Sequence, residues 1–350
     1  MKRDHQHYSG CLLGGALGDA LGARVEFSPY KAIIADYGPE GYRGPGAADI
    51  LRITDDTQMT LFTAEGLLRA LSRGREKGIG YPAGNVYGAY LRWLTTQGER
   101  VDPGHPWYAP DGWLIGMREL HAVRAPGNTC LTALRSGRMG STEEPINNSK
   151  GCGGVMRAAP AGLITGVPGG AFDLGCETAA ITHGHPSGYL SAGLLAEMIW
   201  HIIRGASLQD ALAEGVKVLR TREGHEETLA ALQLALALLE DPLPLPHVES
   251  IERIGGGWVG EEALAIALYC CLAAGRDFRK AILLAVNHSG DSDSTGAIAG
   301  NILGAYLGKE ALPQKWLEKL ELAAEIEELA GDLLAGWREG DDWWRKYPGY

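Results

Sequence analysis

Gly10-Cys11-Leu12-Leu13-Gly14-Gly15-Ala16-Leu17-Gly18-Asp19-Ala20-Leu21-Gly22 has a counterpart far along the chain, Gly296-Ala297-Ile298-Ala299-Gly300-Asn301-Ile302-Leu303-Gly304-Ala305-Tyr306-Leu307-Gly308. In each stretch glycine returns at every fourth residue, at 10, 14, 18 and 22 and at 296, 300, 304 and 308. On a helix that spacing lays a smooth stripe down one face. A glycine inside a helix costs roughly 0.5–1 kcal/mol against alanine, so eight cost on the order of 4–8 kcal/mol. Close approach of helix to helix offsets a cost of that size. The stripes therefore predict a tightly packed helical core, and each runs beside acidic residues that such packing would hold rigidly.

Working outward, most of the chain follows the helical period. Leu61, Ala64, Leu68 and Leu71 recur at spacings of three and four, the mark of an amphipathic helix. Leu190, Leu194, Glu197, Met198 and His201 lie in a similar pattern, and further helices are expected near 207–221, 225–240, 262–275 and 277–287. Alternating strand patterns are missing. Clusters of Gly, Pro, Asn and Asp predict loops at 38–52, 101–112, 138–153 and 241–260. None reads as an interdomain linker, so the expectation is a single all-α domain over 1–350.

Composition narrows the function. There are 32 basic and 43 acidic residues, a net charge of −11, which argues against a surface built for nucleic-acid phosphates. With 45% hydrophobic residues a sizeable core is available, and glycine, at 50 of 350, is about twice its usual ~7%. The longest uncharged apolar stretch, Ala263 to Gly275, is short of the ~18 residues of a membrane span. No export signal is apparent and the six cysteines form no C-x-x-C pair, so a cytoplasmic, reduced setting is expected. Cys270 and Cys271 read as core filler.

Four segments carry potential chemistry. They are Gly18–Gly22 followed by Glu26; Ile53-Thr54-Asp55-Asp56-Thr57; Asn147-Asn148-Ser149-Lys150-Gly151-Cys152-Gly153-Gly154-Val155-Met156-Arg157; and Ser289-Gly290-Asp291-Ser292-Asp293-Ser294-Thr295-Gly296. The second and fourth each open a predicted helix. Asp, Ser and Thr are preferred N-caps worth about 1 kcal/mol, so capping is the plain reading of either alone. One aspartate satisfies a cap, however, and two per start repel. Converging carboxylates with hydroxyls make a hard oxygen site suited to Mg²⁺, Mn²⁺ or Ca²⁺ rather than zinc. The third segment is a glycine-dense loop whose amides can cradle a phosphate, or simply an ordinary loop. It does not match the G-x-x-x-x-G-K-[ST] phosphate loop.

In order along the chain, these segments resemble the ADP-ribosylglycohydrolases, including the dinitrogenase-reductase-activating glycohydrolases. Gly14–Gly22 with Glu26 is similar to the family's opening helix, Thr54–Thr57 to its first metal motif, and Gly290–Ser294 to its second. Ser149–Arg157 and Thr182-His183 resemble its ligand loops. The resemblance implies an all-α orthogonal bundle with a dinuclear site, two Mg²⁺ or Mn²⁺ ions, in a central cleft. By position it implies Thr54, Asp55, Asp56, Asp291, Asp293 and Ser294 as metal ligands, with Glu26 beside them. It further implies that Ser149, Lys150, Gly151, Cys152, Gly153 and His183 contact ADP-ribose. Lys150 and Cys152 depart from branches with an aromatic and an asparagine there.

The implied activity is hydrolysis of the bond between ribose C1 and its acceptor, with Glu26 or Asp56 as the base. The implied partner is an ADP-ribosylated protein or small ADP-ribosyl compound, with arginine favoured as acceptor over serine or another O-linked group. A two-metal phosphoesterase and an inactive structural protein on the same scaffold, as in certain lens crystallins, are the competing readings. His183 and His185 have H-x-H spacing, but without cysteine or a third histidine zinc is not expected. His288 is either a residue orienting a ligand or a plain helix-end histidine. Trp343, Trp344 and Tyr347 are expected in packing or an oligomer contact.

Overall fold

The two glycine stripes face each other. In the computed structural model, which describes residues 2–164, 166–243 and 246–349, Gly10 lies against Gly304, Gly14 against Gly300 and Gly18 against Gly296. The helices His5–Gly22 and Ser292–Leu307 thus run antiparallel at close range. A Cβ at any of these six positions would fall on the backbone carbonyl opposite, and one at Gly22 on the carbonyl of Ser292. Gly15 leaves room for Asn301, whose Nδ2 donates to the Cys11 carbonyl at 2.8 Å. Gly308 departs from expectation. It ends the second helix at φ 85° and a Cβ there would meet nothing nearer than 3.7 Å, so it is a helix-stop glycine rather than part of the stripe.

Around this pair the chain is 63% helical in 17 helices, with no strand among the described residues. The expected helices appear as Asp55–Lys77, Pro186–Ile203, Leu208–Leu219, Glu226–Leu239, Gly260–Ala274 and Phe278–Val286. Their starts follow local chemistry: Pro186 at the first helical position, and Ser207 and Asp277 accepting from the amides of Asp210 and Lys280. Within 241–260, expected as loop, His247–Ile254 is helical. Pro246 precedes it, and Ile251 and Ile254, three apart, bury one face. Leu71, expected in the apolar stripe, is exposed, whereas Leu61, Ala64 and Leu68 are buried.

Cys270 and Cys271 lie in the core. So do Trp343 and Tyr347, which pack against each other edge-on while Trp343 Nε1 donates to Ser72 Oγ at 2.9 Å. No helix among the described residues is long and apolar enough to cross a membrane.

Candidate active site

The helices Asp55–Lys77 and Ser292–Leu307 begin side by side, and each start is capped by one residue. Thr54 Oγ1 accepts from the Asp56 amide at 3.3 Å, and Asp291 Oδ1 from the Ser294 amide at 3.2 Å. Capping therefore accounts for one polar side chain at each end, leaving Asp55, Asp56 and Asp293 in excess. Asp55 Oδ2 accepts from Gly127 N at 3.2 Å, and Asp293 Oδ1 from Ser294 N at 2.9 Å. Asp56 Oδ2 is buried with no hydrogen-bond partner.

All four aspartates line one cavity of about 350 Å³, together with Glu26, Ser294, Gly151, Cys152, Gly153 and His183. Carboxylate oxygens of Glu26, Asp291 and Asp293 lie within 4.8 Å of one another. Like charges buried at such spacing resist ionisation. Burial first, and the Asp293 charge second, push the carboxyls of Asp55, Asp56 and Asp291 well above the usual range. The same causes raise Glu26 to about 10. The Cys152 thiol, also pushed up by burial and by Asp291, donates to Asp291 Oδ2 at 2.7 Å.

The opposite wall carries a neutral imidazole. Burial and the Arg157 guanidinium lower His183 to about 3. Its Nδ1 lies 2.8 Å from Thr182 Oγ1, which accepts from Arg157 Nη2 at 2.6 Å. The glycines of the 151–154 loop let the backbone rest on this ring: a Cβ at Gly153 would stand 3.0 Å from His183 Cε1.

Three of the expected site residues do not line the cavity. Thr54 is turned to Asp19, donating to its Oδ1 at 2.7 Å. The Ser149 hydroxyl pairs with that of Thr129 at 3.1 Å and accepts from Gly151 N at 3.3 Å. Lys150 is drawn outward by Glu227 and Glu261, at 2.8 and 2.5 Å, and so clamps the loop to two helices. Glu26 lies outside the opening helix, which ends at Gly22. Its amide donates to the Gly22 carbonyl at 2.9 Å in the turn that follows.

Two further histidines sit elsewhere. His185 accepts from the Ser187 amide at 3.1 Å and caps the helix beginning at Pro186. His288 is buried behind the second acidic motif, its Nε2 3.0 Å from Thr295 Oγ1. Thr295 in turn donates to backbone carbonyls including that of Asp291, at 2.9 Å, so His288 supports the motif from behind.

Asp19 belongs to the Gly18–Gly22 segment, yet the sequence assigns it no role. It is fully buried and accepts from the amides and hydroxyls of both Thr54 and Thr57, fastening the first helix to the first acidic motif. Burial and Asp293 raise it to about 7 despite those donors. Phe27, Trp258 and the 125–129 segment also line the cavity, and no motif marks them.

Five carboxylates share the cavity with no lysine or arginine among its described lining residues. Such a set, with an unpartnered buried oxygen on Asp56, fits a hard divalent cation. The family model for ADP-ribosylglycohydrolase matches residues 1–342. The chain belongs to the ADP-ribosylglycohydrolase family. An ADP-ribosyl-[dinitrogen reductase] glycohydrolase from Rhodospirillum rubrum is 26% identical over 92% of this chain and 93% of its own length. An ADP-ribosylarginine hydrolase, Tri1, from Pseudomonas putida is 27% identical over 93% of this chain and 77% of its own. A solved structure described as an ADP-ribosylglycohydrolase-related protein complex superposes with a TM-score of 0.66 at 27% identity, covering 96% of this chain and 99% of that one. The family's all-α enzyme scaffold is thus the scaffold of this chain.

Proposed function

We propose that this ADP-ribosylglycohydrolase cleaves the bond between ribose C1 and an acceptor, with arginine favoured, using two divalent cations, Mg²⁺ or Mn²⁺. The convergence of Glu26, Asp55, Asp56, Asp291 and Asp293 on one cavity carries the reading, since those side chains repel one another without a counter-charge. The donor set that would hold the ions is Asp55, Asp56, Asp291, Asp293 and Ser294, with Thr54 behind them. When bound, such ions supply Lewis-acid charge to ribose oxygens and lower the pKa of water.

The chain's own groups supply the rest. Ionised once a counter-charge offsets their mutual repulsion, Glu26 or Asp56 takes the proton from the attacking water, Glu26 from the turn above the cluster and Asp56 through its unpartnered Oδ2. Neutral His183 and the amides of Gly151–Gly153 hold the polar parts of ADP-ribose. The acceptor preference draws on the likeness to the Tri1 arginine hydrolase, and the partner is an ADP-ribosylated protein or small ADP-ribosyl compound.

The test offers ADP-ribosyl-arginine and ADP-ribosyl-serine peptides with Mg²⁺, with Mn²⁺ and with chelator, and measures free ADP-ribose. Cation-dependent release from the arginine substrate is expected. Release from serine alone refutes the acceptor assignment, and release from neither refutes the activity.

A further inference from the structure

Two aromatic rings stand stacked at the mouth of the acidic cavity. Phe27 and Trp258 have ring centroids 5.5 Å apart and planes inclined by 22°, and both line the cavity. They are nevertheless 67% and 44% exposed. The backbone holds Phe27 there against its own preference. Its φ is 63°, one of three positive values at non-glycine residues among those described; a second, Ala125 at 52°, lines the same cavity. Strain of this kind concentrates at functional sites. Trp258 is fixed from the other side. Its carbonyl accepts from Cys152 N at 3.1 Å, and the amides of Gly256 and Gly257 donate to Glu262 at 3.0 and 3.2 Å.

We propose that the Phe27–Trp258 pair is the platform for the acceptor, on which the guanidinium of an arginine-linked substrate stacks. This rests on the hydrolase reading above and adds the residues that choose the acceptor. Phe27 directly follows Glu26, the candidate base at ribose C1, so the rings flank the end of the substrate from which the acceptor departs. With two divalent cations bound, the five carboxylates still leave the field there negative by one charge, and no cationic side chain stands among the described lining residues. A planar cation is attracted both by that field and by the faces of the rings. A serine side chain offers neither a charge nor a flat face, and adenine, neutral and planar, gains nothing from the field.

Trp258→Leu removes the indole face while the backbone bonds that fix its loop remain. The KM for an ADP-ribosyl-arginine peptide is expected to rise about tenfold and kcat to change much less. The Kd of free ADP-ribose, measured by calorimetry, is expected to stay within about twofold. Trp258→Phe should restore most of the loss, and Phe27→Leu should repeat it. A matched loss of ADP-ribose affinity would place adenine on the rings and overturn the proposal, as would an unchanged KM or an equal effect on ADP-ribosyl-serine. If the wild-type protein releases ADP-ribose from no substrate, the hydrolase reading fails. The platform is then judged by agmatine binding alone, which Trp258→Leu must weaken for the proposal to stand.

Discussion

Asp293→Asn should make the cation-free protein more stable while abolishing its response to cations. Asp293 is the leading charge acting on Glu26, Asp19, Asp55, Asp56 and Asp291, second only to burial in each case. At 4.8 Å, the outer limit of the spacing among Glu26, Asp291 and Asp293, one ionised pair costs about 3.5 kcal/mol with an effective dielectric constant of 20. Unfolding entropy of about 2.1 cal/mol/K per residue makes that about 5 °C in Tm for a chain of this length. The asparagine keeps an oxygen for the Ser294 amide, and the helix cap, Asp291, is untouched.

The pH dependence has a fixed sign. These carboxyls are raised in the folded protein, so their contribution is fully present below the unfolded values near 4. It is lost as pH climbs through the folded values, about 7 for Asp19 and about 10 for Glu26. Calorimetry in chelator should therefore record a wild-type Tm that falls between about pH 4 and pH 10, a shallower fall for Asp293→Asn, and a higher Tm for the variant at pH 8. Added Mn²⁺ should raise the wild-type Tm and leave the variant unmoved. A lower Tm for the variant in chelator, with the wild-type pH slope unchanged, would refute the mutual repulsion of the cluster.

Glu26→Gln should lower kcat far more than it weakens ADP-ribose binding; equal kcat would leave Glu26 out of the proton transfer. Gly18→Ala should cost at least the ~1–3 kcal/mol of an overpacked core, because its Cβ falls on the Gly296 carbonyl, whereas Gly308→Ala should act only through its positive φ. Thermal unfolding of the two, with cation affinity measured alongside, separates the packing role from the helix stop. Thr182→Val removes the hydroxyl between Arg157 and His183 and should weaken ADP-ribose binding several-fold; unchanged binding would remove His183 from the ligand wall.

The fold was legible because its main constraint is steric and periodic. A glycine every four residues announces a helix face with no room for a side chain, and the Gly14–Gly300 and Gly18–Gly296 contacts are that prediction realised. The acidic motifs were legible for a related reason: Asp55, Asp56 and Asp293 exceed what a helix cap needs. Gly308 falls outside this reading because a stop glycine and a stripe glycine share the same spacing and differ only in φ. The His247–Ile254 helix was hidden behind the turn-forming residues that flank it.

Side chains whose roles depend on long-range contact left no such mark. Lys150 sits within a glycine-rich loop, where a positive charge suggests a phosphate. Its direction is decided by Glu227 and Glu261, far away in sequence. Asp19 is the reverse case, an acid beside the candidate cation site. The structure gives its oxygens to Thr54 and Thr57 instead. That arrangement couples the scaffold to the site, because one end of the Asp19 linkage lies on the helix that the glycine stripe locks to Ser292–Leu307, and the other end starts the helix carrying Asp55 and Asp56. The stripe thereby fixes both acidic motifs at once, the second directly and the first through Asp19. A repulsive cluster can keep its geometry only on a frame that cannot yield, and the glycines supply that frame.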